Sequence, residues 1–266
     1  LYPEEKINAE FHFIEHHLAH LASAFYSSPF KRSLVLSIDG FGDFASAAWG
    51  LGNDTEINIE KKVYFPHSLG VFYTSITQFL GFPNYGDEYK VMGLAPYGKA
   101  KYIEEMRKIV LLQNNGGFKL NLKYFDHTTK YIPVKWNGGI PFLGKHYSDA
   151  LKDLLGEPRS SKEKLLKRHM DIAHSAQLMY EEALFHILNK LNEDFPDEKS
   201  LCIAGGCGAN SVANGKISKQ TKFKNVYIQA AAGDAGGALG SALEVWHSLG
   251  YDRCEPMGPS YYGPSF

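Results

Sequence analysis

Cysteine is scarce. The chain of 266 residues holds three, Cys202, Cys207 and Cys254. Three thiols cannot form a disulfide framework, and their spacing matches no zinc knuckle. A reducing, cytoplasmic setting is the expectation. An excess of one charge is also missing, with 28 Lys and Arg against 29 Asp and Glu and a net charge of −1. A dedicated nucleic-acid binder needs a cationic surface to neutralise phosphates, so no such partner is expected. No apolar run approaches the roughly 20 residues that span a bilayer, and no membrane partner is expected either. The first residues lack a basic segment followed by an apolar core, so they do not read as a signal peptide. The chain does not begin with Met, and a preceding part of the natural protein is expected. Internal repeats and low-complexity tracts are absent. The composition, 44% hydrophobic and 21% charged, is that of a globular protein. A chain of this size buries roughly 70–75% of its unfolded surface and needs neither disulfide nor structural metal to fold.

Periodicity organises the chain. The stretch FIEHHLAHLASAFYSS, 13–28, has apolar and small residues at helical spacing and stops before Pro29. Three β-like stretches follow, 33–38, 44–50 and 56–65. The first two are joined by Asp39-Gly40-Phe41-Gly42-Asp43, a hairpin signal, and the three read as an antiparallel meander. Helical patterns are predicted over 68–80, 87–94 and 99–113. An irregular insertion near 114–160, rich in Gly, Asn and aromatics, carries one or two strands. A long helical pattern covers 162–192, with a break allowed within it. Then come strand 200–204, helix 209–218, strand 225–229 and helix 234–249. Alternating strand and helix implies parallel strands with helical crossovers. Residues 253–266, rich in Pro, Gly and Tyr, read as a linker. The prediction is one mixed α/β sheet, three antiparallel strands and then β-α-β-α, with helices on both faces. Ligands bind such sheets at the carboxyl ends of the parallel strands.

Several residues could carry chemistry there. His16 and His20 lie four apart on one helix face, close enough to grip one metal ion, while His17 points about 100° away. The same spacing also suits two histidines on an ordinary amphipathic helix. Asp39 ends an apolar strand inside a glycine turn, where Gly40 lets backbone N–H groups approach a phosphate and the carboxylate can reach a metal. An ordinary Asp-Gly hairpin would look alike, and Asp43 across the turn could serve instead. Ala204-Gly205-Gly206-Cys207-Gly208-Ala209-Asn210 links a strand to a helix in the manner of a nucleotide loop or a plain tight turn. Cys207 reads as a packing residue. Gly233-Asp234-Ala235-Gly236-Gly237 opens the last helix, with Asp234 either its N-cap or a second carboxylate for the metal. Lys90, in Gly86-Asp87-Glu88-Tyr89-Lys90, could meet a phosphate or stand solvated. His67 could be a general base or a loop histidine near a helix start.

The segments HHLAHLASAFY, SIDGFGDFASA, FPHSLGVFYTSITQFLGF, GDEYKVMGLAPYG, AGGCGANSVANGKI and GDAGGALGSAL occur in the order seen in NodU/CmcH-type O-carbamoyltransferases. The resemblance covers nearly the whole chain. Its shared elements resemble TsaD-type tRNA threonylcarbamoyltransferases and the carbamoyltransferase module of HypF, all in the actin-like ATPase superfamily, whose lobes are RNase H-like. The resemblance implies transfer of a carbamoyl group from carbamoyl-adenylate, made from carbamoyl phosphate and ATP, to a hydroxyl of a small-molecule acceptor. A divalent metal, iron(II) first and zinc second, would hold nucleotide phosphate oxygens. By motif it assigns His16, His20, Asp39 and Asp234 to the metal, and Gly205, Gly206, Asn210 and Gly233 with Gly40 to the nucleotide. Lys90 becomes a phosphate or carbamoyl contact, and His67 a candidate catalytic group. The family's GGVALN appears here as Gly-Gly-Cys-Gly-Ala-Asn, which reshapes the nucleotide pocket. Residues 1–30 would close a first lobe, 31–252 would form the second, and 253–266 would lead towards a YrdC-like domain. The alternatives are a module that only binds nucleotide or metal, and tRNA threonylcarbamoyl transfer.

Overall fold

The computed structural model describes residues 8–138, 140–258 and 264. In chain order it holds helix α1 (His16–Phe25), strands β1 (Arg32–Gly42), β2 (Ala45–Asn53) and β3 (Glu56–Tyr64), and helices α2 (Leu69–Phe79), α3 (Glu88–Leu94) and α4 (Ile103–Ile109). Two hairpins follow, β4 (Val110–Leu112) with β5 (Phe118–Leu120) and β6 (Val134–Asn137) with β7 (Ile140–Leu143). After α5 (Ala150–Leu155) and α6 (Lys167–Asp194) come β8 (Ser200–Ala204), the short helices α7 (Ser211–Asn214) and α8 (Ile217–Gln220), β9 (Asn225–Ile228) and α9 (Ala235–Ser248).

The main sheet runs β3-β2-β1-β8-β9. β1 pairs antiparallel with β2 and parallel with β8, and β8 pairs parallel with β9. This is the expected α/β class: an antiparallel meander extended by two parallel strands, the order of an RNase H-like lobe. β1 is buried on both faces. Leu34, Leu36 and Ile38 point into the larger core with α2 and α6, whereas Val35 joins Leu21, Ala22 and Phe25 of α1 on the opposite face. An element covered on both sides reads as a continuous apolar run, as Leu34–Leu36 does. α9 lies against α1 at backbone contact. A Cβ on Gly240 would stand 1.8 Å from the Ala19 carbonyl oxygen, so only glycine permits this approach.

Three helix expectations need correction. The pattern over 99–113 is helical only through Ile109, and Val110–Leu112 turns into a strand paired with Phe118–Leu120. The reason lies downstream, where Asn114-Asn115-Gly116-Gly117 reverses the chain with Gly116 at φ +90° and supplies a pairing partner. The pattern over 162–192 becomes helical only at Lys167 and then runs as one unbroken helix to Asp194, because no Gly or Pro interrupts it. The stretch 209–218 is not one helix but two short ones after a 3₁₀ turn. Gly208, Asn210 and Gly215 break it, and the Asn210 side chain caps α7 at the Ala213 N–H, 3.0 Å. Residues 1–7 of the expected first-lobe piece, and 259–263 and 265–266 of the expected linker, lie outside the described residues. Arg253, at the start of that linker, donates 2.6 Å hydrogen bonds to the carbonyls of Asp54 and Phe25, which ties it to the body.

Candidate functional site

Four side chains meet at the carboxyl end of β1. α1 presents His16 and His20 one turn apart, with their Nε2 atoms 3.1 Å from each other. Asp39 at the end of β1 places Oδ2 at 3.1 Å from His16 Nε2 and 2.9 Å from His20 Nε2. Asp234 Oδ1 lies at 3.7 and 3.5 Å from the same two nitrogens. One ligand atom from each of the four falls within 4.8 Å of all the others. Asp234 has helical angles, φ −54° and ψ −29°, and makes no side-chain cap bond. Its carboxylate reaches the histidines instead. Asp43 stays outside the cluster, and its Oδ2 accepts the His16 backbone N–H at 2.8 Å. His17, fully buried, turns away to Ser37 Oγ at 2.7 Å.

This donor set fits a divalent ion. Metal bonds of about 2.1 Å at angles of about 90–110° hold ligand atoms about 3.0–3.4 Å apart. The two imidazoles and Asp39 stand at 2.9–3.1 Å, with Asp234 slightly wider. Two neutral imidazole nitrogens with lone pairs directed at one another need a cation or a shared proton between them. Hydrogen bonding to Asp39 raises the His16 pKa above the usual imidazole value, against the opposing effect of burial. Burial alone would raise the Asp39 carboxyl, but hydrogen bonds from His16 and His20 outweigh it and hold the group well below the usual carboxylate range. Two imidazoles with carboxylates suit iron(II), zinc and related ions. The cluster opens on a cleft of about 390 Å³ that Ile14, Asp43, Gly237 and Ser241 help to line. His16 enters because residue 42 is glycine, since a Cβ there would lie 2.0 Å from the imidazole ring.

Asp39 also ties the cluster to the glycine loop. Its Oδ1 accepts the Gly40 N–H at 2.8 Å and the Gly206 N–H at 3.2 Å. Gly205 adopts φ +87°, and a Cβ there would sit 2.2 Å from the Ile38 carbonyl, so glycine is required on both counts. Gly233 is close behind, its Cβ position 3.9 Å from Gly206 Cα. Thus Gly40 and Gly206 bind the Asp39 carboxylate through their N–H groups, with Gly205 packed on Ile38 and Gly233 on Gly206.

Asn210 sits differently from that expectation. Its Oδ1 accepts from Gln177 Nε2 at 3.0 Å as well as from Ala213, and its Nδ2 donates to Gln177 Oε1 at 2.9 Å. Gln177 also donates to Glu181 Oε1 and accepts from the Tyr73 hydroxyl, while Glu181 pairs with Lys216 at 2.6 Å. The neighbouring Tyr180 hydroxyl donates to the Cys207 carbonyl at 2.8 Å. Sequence reasoning missed this buried network. The available signal was two polar residues, Gln177 and Glu181, on the same face of α6 as Ala173, Tyr180 and Leu184.

Lys90 and His67 are engaged elsewhere. Lys90 Nζ pairs with Asp87 Oδ1 at 2.6 Å and lies over the Phe82 ring. His67 Nδ1 accepts the Leu120 N–H at 3.1 Å, which leaves Nε2 as the protonated nitrogen, and burial lowers its pKa. Its neighbour Ser68 caps α2 and donates to the Asp39 carbonyl at 3.0 Å.

Among the described residues no helix is long and apolar enough to cross a membrane. The sequence profile of a family described as the carbamoyltransferase N-terminus matches residues 4–243. The nodulation protein NolNO of Sinorhizobium fredii is 36% identical over 95% of this chain, and NolO of Bradyrhizobium diazoefficiens is 35% identical over 94%. An uncharacterized Synechocystis protein is 42% identical over 96%. The chain spans 34%, 42% and 40% of these relatives' lengths, respectively. The crystal structure of T. kodakarensis HypF aligns with 91% of this chain and 37% of its own at 17% identity, with a TM-score of 0.45, too low to carry a structural conclusion. With 240 of its 266 residues inside the family profile, the chain belongs to the carbamoyltransferase N-terminal family.

Proposed function

We propose that this chain is the carbamoyl-transfer unit of an O-carbamoyltransferase, moving a carbamoyl group from carbamoyl-adenylate to a hydroxyl of a small-molecule acceptor. Carbamoyl phosphate and ATP supply the adenylate, and residues 31–252 act as the second lobe of the domain. The observation that carries the reading is the convergence of His16, His20, Asp39 and Asp234 beside the Gly205–Gly206 turn.

The four side chains would hold a divalent ion, iron(II) or zinc, which when bound neutralises phosphate charge and makes AMP a better leaving group. The chain's own groups do the rest. Asp39 uses one carboxylate oxygen for the histidines and the other for the Gly40 and Gly206 N–H groups, so it fixes the loop relative to the cluster. The glycine-lined turn leaves backbone close to where phosphate oxygens would lie. Asp43 holds the start of α1 through the His16 N–H and keeps the first imidazole in place. The Lys90 ammonium, paired with Asp87, is the candidate contact for phosphate or carbamoyl oxygen. His67 Nδ1 is taken by the Leu120 N–H, so its role is to hold the Leu120 strand rather than to take the acceptor proton.

The test supplies the full-length protein with carbamoyl phosphate, ATP, iron(II) or zinc, and a panel of hydroxyl acceptors, and follows carbamoylated product by mass spectrometry. The wild type should form product, and His20→Ala should lose both product and bound ion. Product formed equally well by His20→Ala would end this reading.

A further inference from the structure

The buried amide at Gln177 is used to completion. Its two N–H bonds go to Glu181 Oε1 at 2.9 Å and Asn210 Oδ1 at 3.0 Å, and its carbonyl oxygen accepts from Tyr73 at 2.8 Å and Asn210 Nδ2 at 2.9 Å. Gln177 is 4% exposed and Glu181 3%. A buried polar side chain with every position satisfied has one orientation, because rotating the amide by 180° would set donor against donor and acceptor against acceptor. Asn210 is locked with it, since both lone pairs of its Oδ1 are taken by Gln177 and the Ala213 N–H. One turn along the same helix face, Tyr180 holds the Cys207 carbonyl and Glu181 holds Lys216, just after α7. Three consecutive contacts from α6 therefore pin the loop at 207, 210 and 216.

We infer that Gln177 is the positioning residue of the 205–210 loop. It sets the loop's backbone for phosphate, and Asn210 serves the site through this brace rather than by offering its carbonyl oxygen to the nucleotide. The inference rests on the reading of that loop as the nucleotide segment.

Gln177→Glu tests it, because the isosteric carboxylate removes both donors and faces the Glu181 carboxylate. Three quantities are followed in the full chain: amide hydrogen exchange over residues 205–210, affinity for ATP, and affinity for zinc. In Gln177→Glu the loop amides should exchange about tenfold faster and ATP bind about tenfold more weakly, with zinc affinity within about twofold of wild type. Gln177→Glu combined with Glu181→Gln restores the donor and the charge between the two positions but not the donor to Asn210 Oδ1, so it should recover stability while loop exchange and ATP affinity stay impaired. Unchanged loop exchange and ATP affinity in Gln177→Glu would overturn the inference. So would a parallel loss of ATP and zinc binding with a lowered melting temperature, the mark of a merely structural residue. If Gln177→Glu does not fold, Gln177→Met decides: it removes the amide without adding a charge, and loop exchange that stays at the wild-type rate overturns the inference. A wild type that binds no ATP would sink the nucleotide reading, while loop exchange would still decide the role of Gln177.

Discussion

Two polar centres lie on either side of the Gly205–Asn210 turn, and they are built in opposite ways. The His16–His20–Asp39–Asp234 cluster opens on a cleft, and its two Nε2 atoms crowd to 3.1 Å from each other around one carboxylate oxygen of Asp39. The Tyr73–Gln177–Glu181–Asn210 network is closed, and its central amide has no bonding position left. A site made to receive a cation must hold ligand atoms close together without pairing them off. A brace must do the reverse, because an unsatisfied buried group costs about 1–3 kcal/mol. The difference separates the groups that bind from the groups that hold.

The largest effect should come from the open centre. Asp39→Asn keeps an oxygen for the Gly40 and Gly206 N–H groups and turns the shared ligand oxygen into an NH₂ facing two imidazoles. Affinity for zinc or iron(II), measured by titration calorimetry, should fall by roughly 100-fold or more, with little change in folding. A variant that keeps its ion would mean that the cluster is no metal centre. Glu181→Leu acts on the closed centre. It strands a Gln177 N–H in the core, while Lys216, with a side chain 40% exposed, can turn to water. Stability in urea should drop by about 2–3 kcal/mol with metal affinity retained. Loss of metal binding in Glu181→Leu would erase the distinction between the two centres.

How far each centre could be read from the chain follows from the same contrast. The four residues of the open cluster announce themselves locally: HxxxH needs only helical spacing, and Asp39 and Asp234 stand among glycines whose cost has no purpose in an ordinary strand or helix. The mixed sheet was legible because three β-like stretches follow one another through turn signals, and strands 200–204 and 225–229 then alternate with helical patterns. The brace was not, since Gln177 and Glu181 are good helix formers that look solvent-facing until α6 is known to be buried along their side. β4 was hidden for a similar reason. Val110–Leu112 continues a helical pattern, and only its pairing with 118–120 makes it a strand. For Asn210 the motif gives the residue but not the direction of its amide, which the structure turns to Gln177 and Ala213.

The histidines extend the comparison to pH. His16 is raised by its carboxylate, whereas burial lowers His67, His127 and His146 in and beside the insertion. A histidine lowered in the folded chain leaves the unfolded chain with more protons just below pH 6.5, so its contribution is present above that pH and lost as pH falls through the folded value. Stability measured by urea should therefore decline from pH 7 to pH 5.5. His127→Gln, which can still donate to the Pro66 carbonyl as Nε2 does at 2.8 Å, should flatten that decline. An unchanged slope would show that His127 is no part of it.

The smallest effect on folding should come from Lys90, and for that reason it is the most informative about function. Its ammonium, on a side chain 34% exposed, is held 2.6 Å from the Asp87 carboxylate, whose side chain is 8% exposed. Removing the lysine should cost only about 1 kcal/mol, because solvent screens the half-exposed ammonium and the buried Asp87 carboxylate keeps the Asn84 N–H at 3.1 Å. Lys90→Met should accordingly leave the melting temperature within about 2 °C of wild type and leave zinc affinity unchanged. Binding of ATP or carbamoyl phosphate then reports on one thing only. A drop of about tenfold would be a lost charge contact to the ligand, since no folding defect is present to imitate it. No drop would return Lys90 to an ordinary surface pair with Asp87 and leave anion binding to the backbone of the glycine turn.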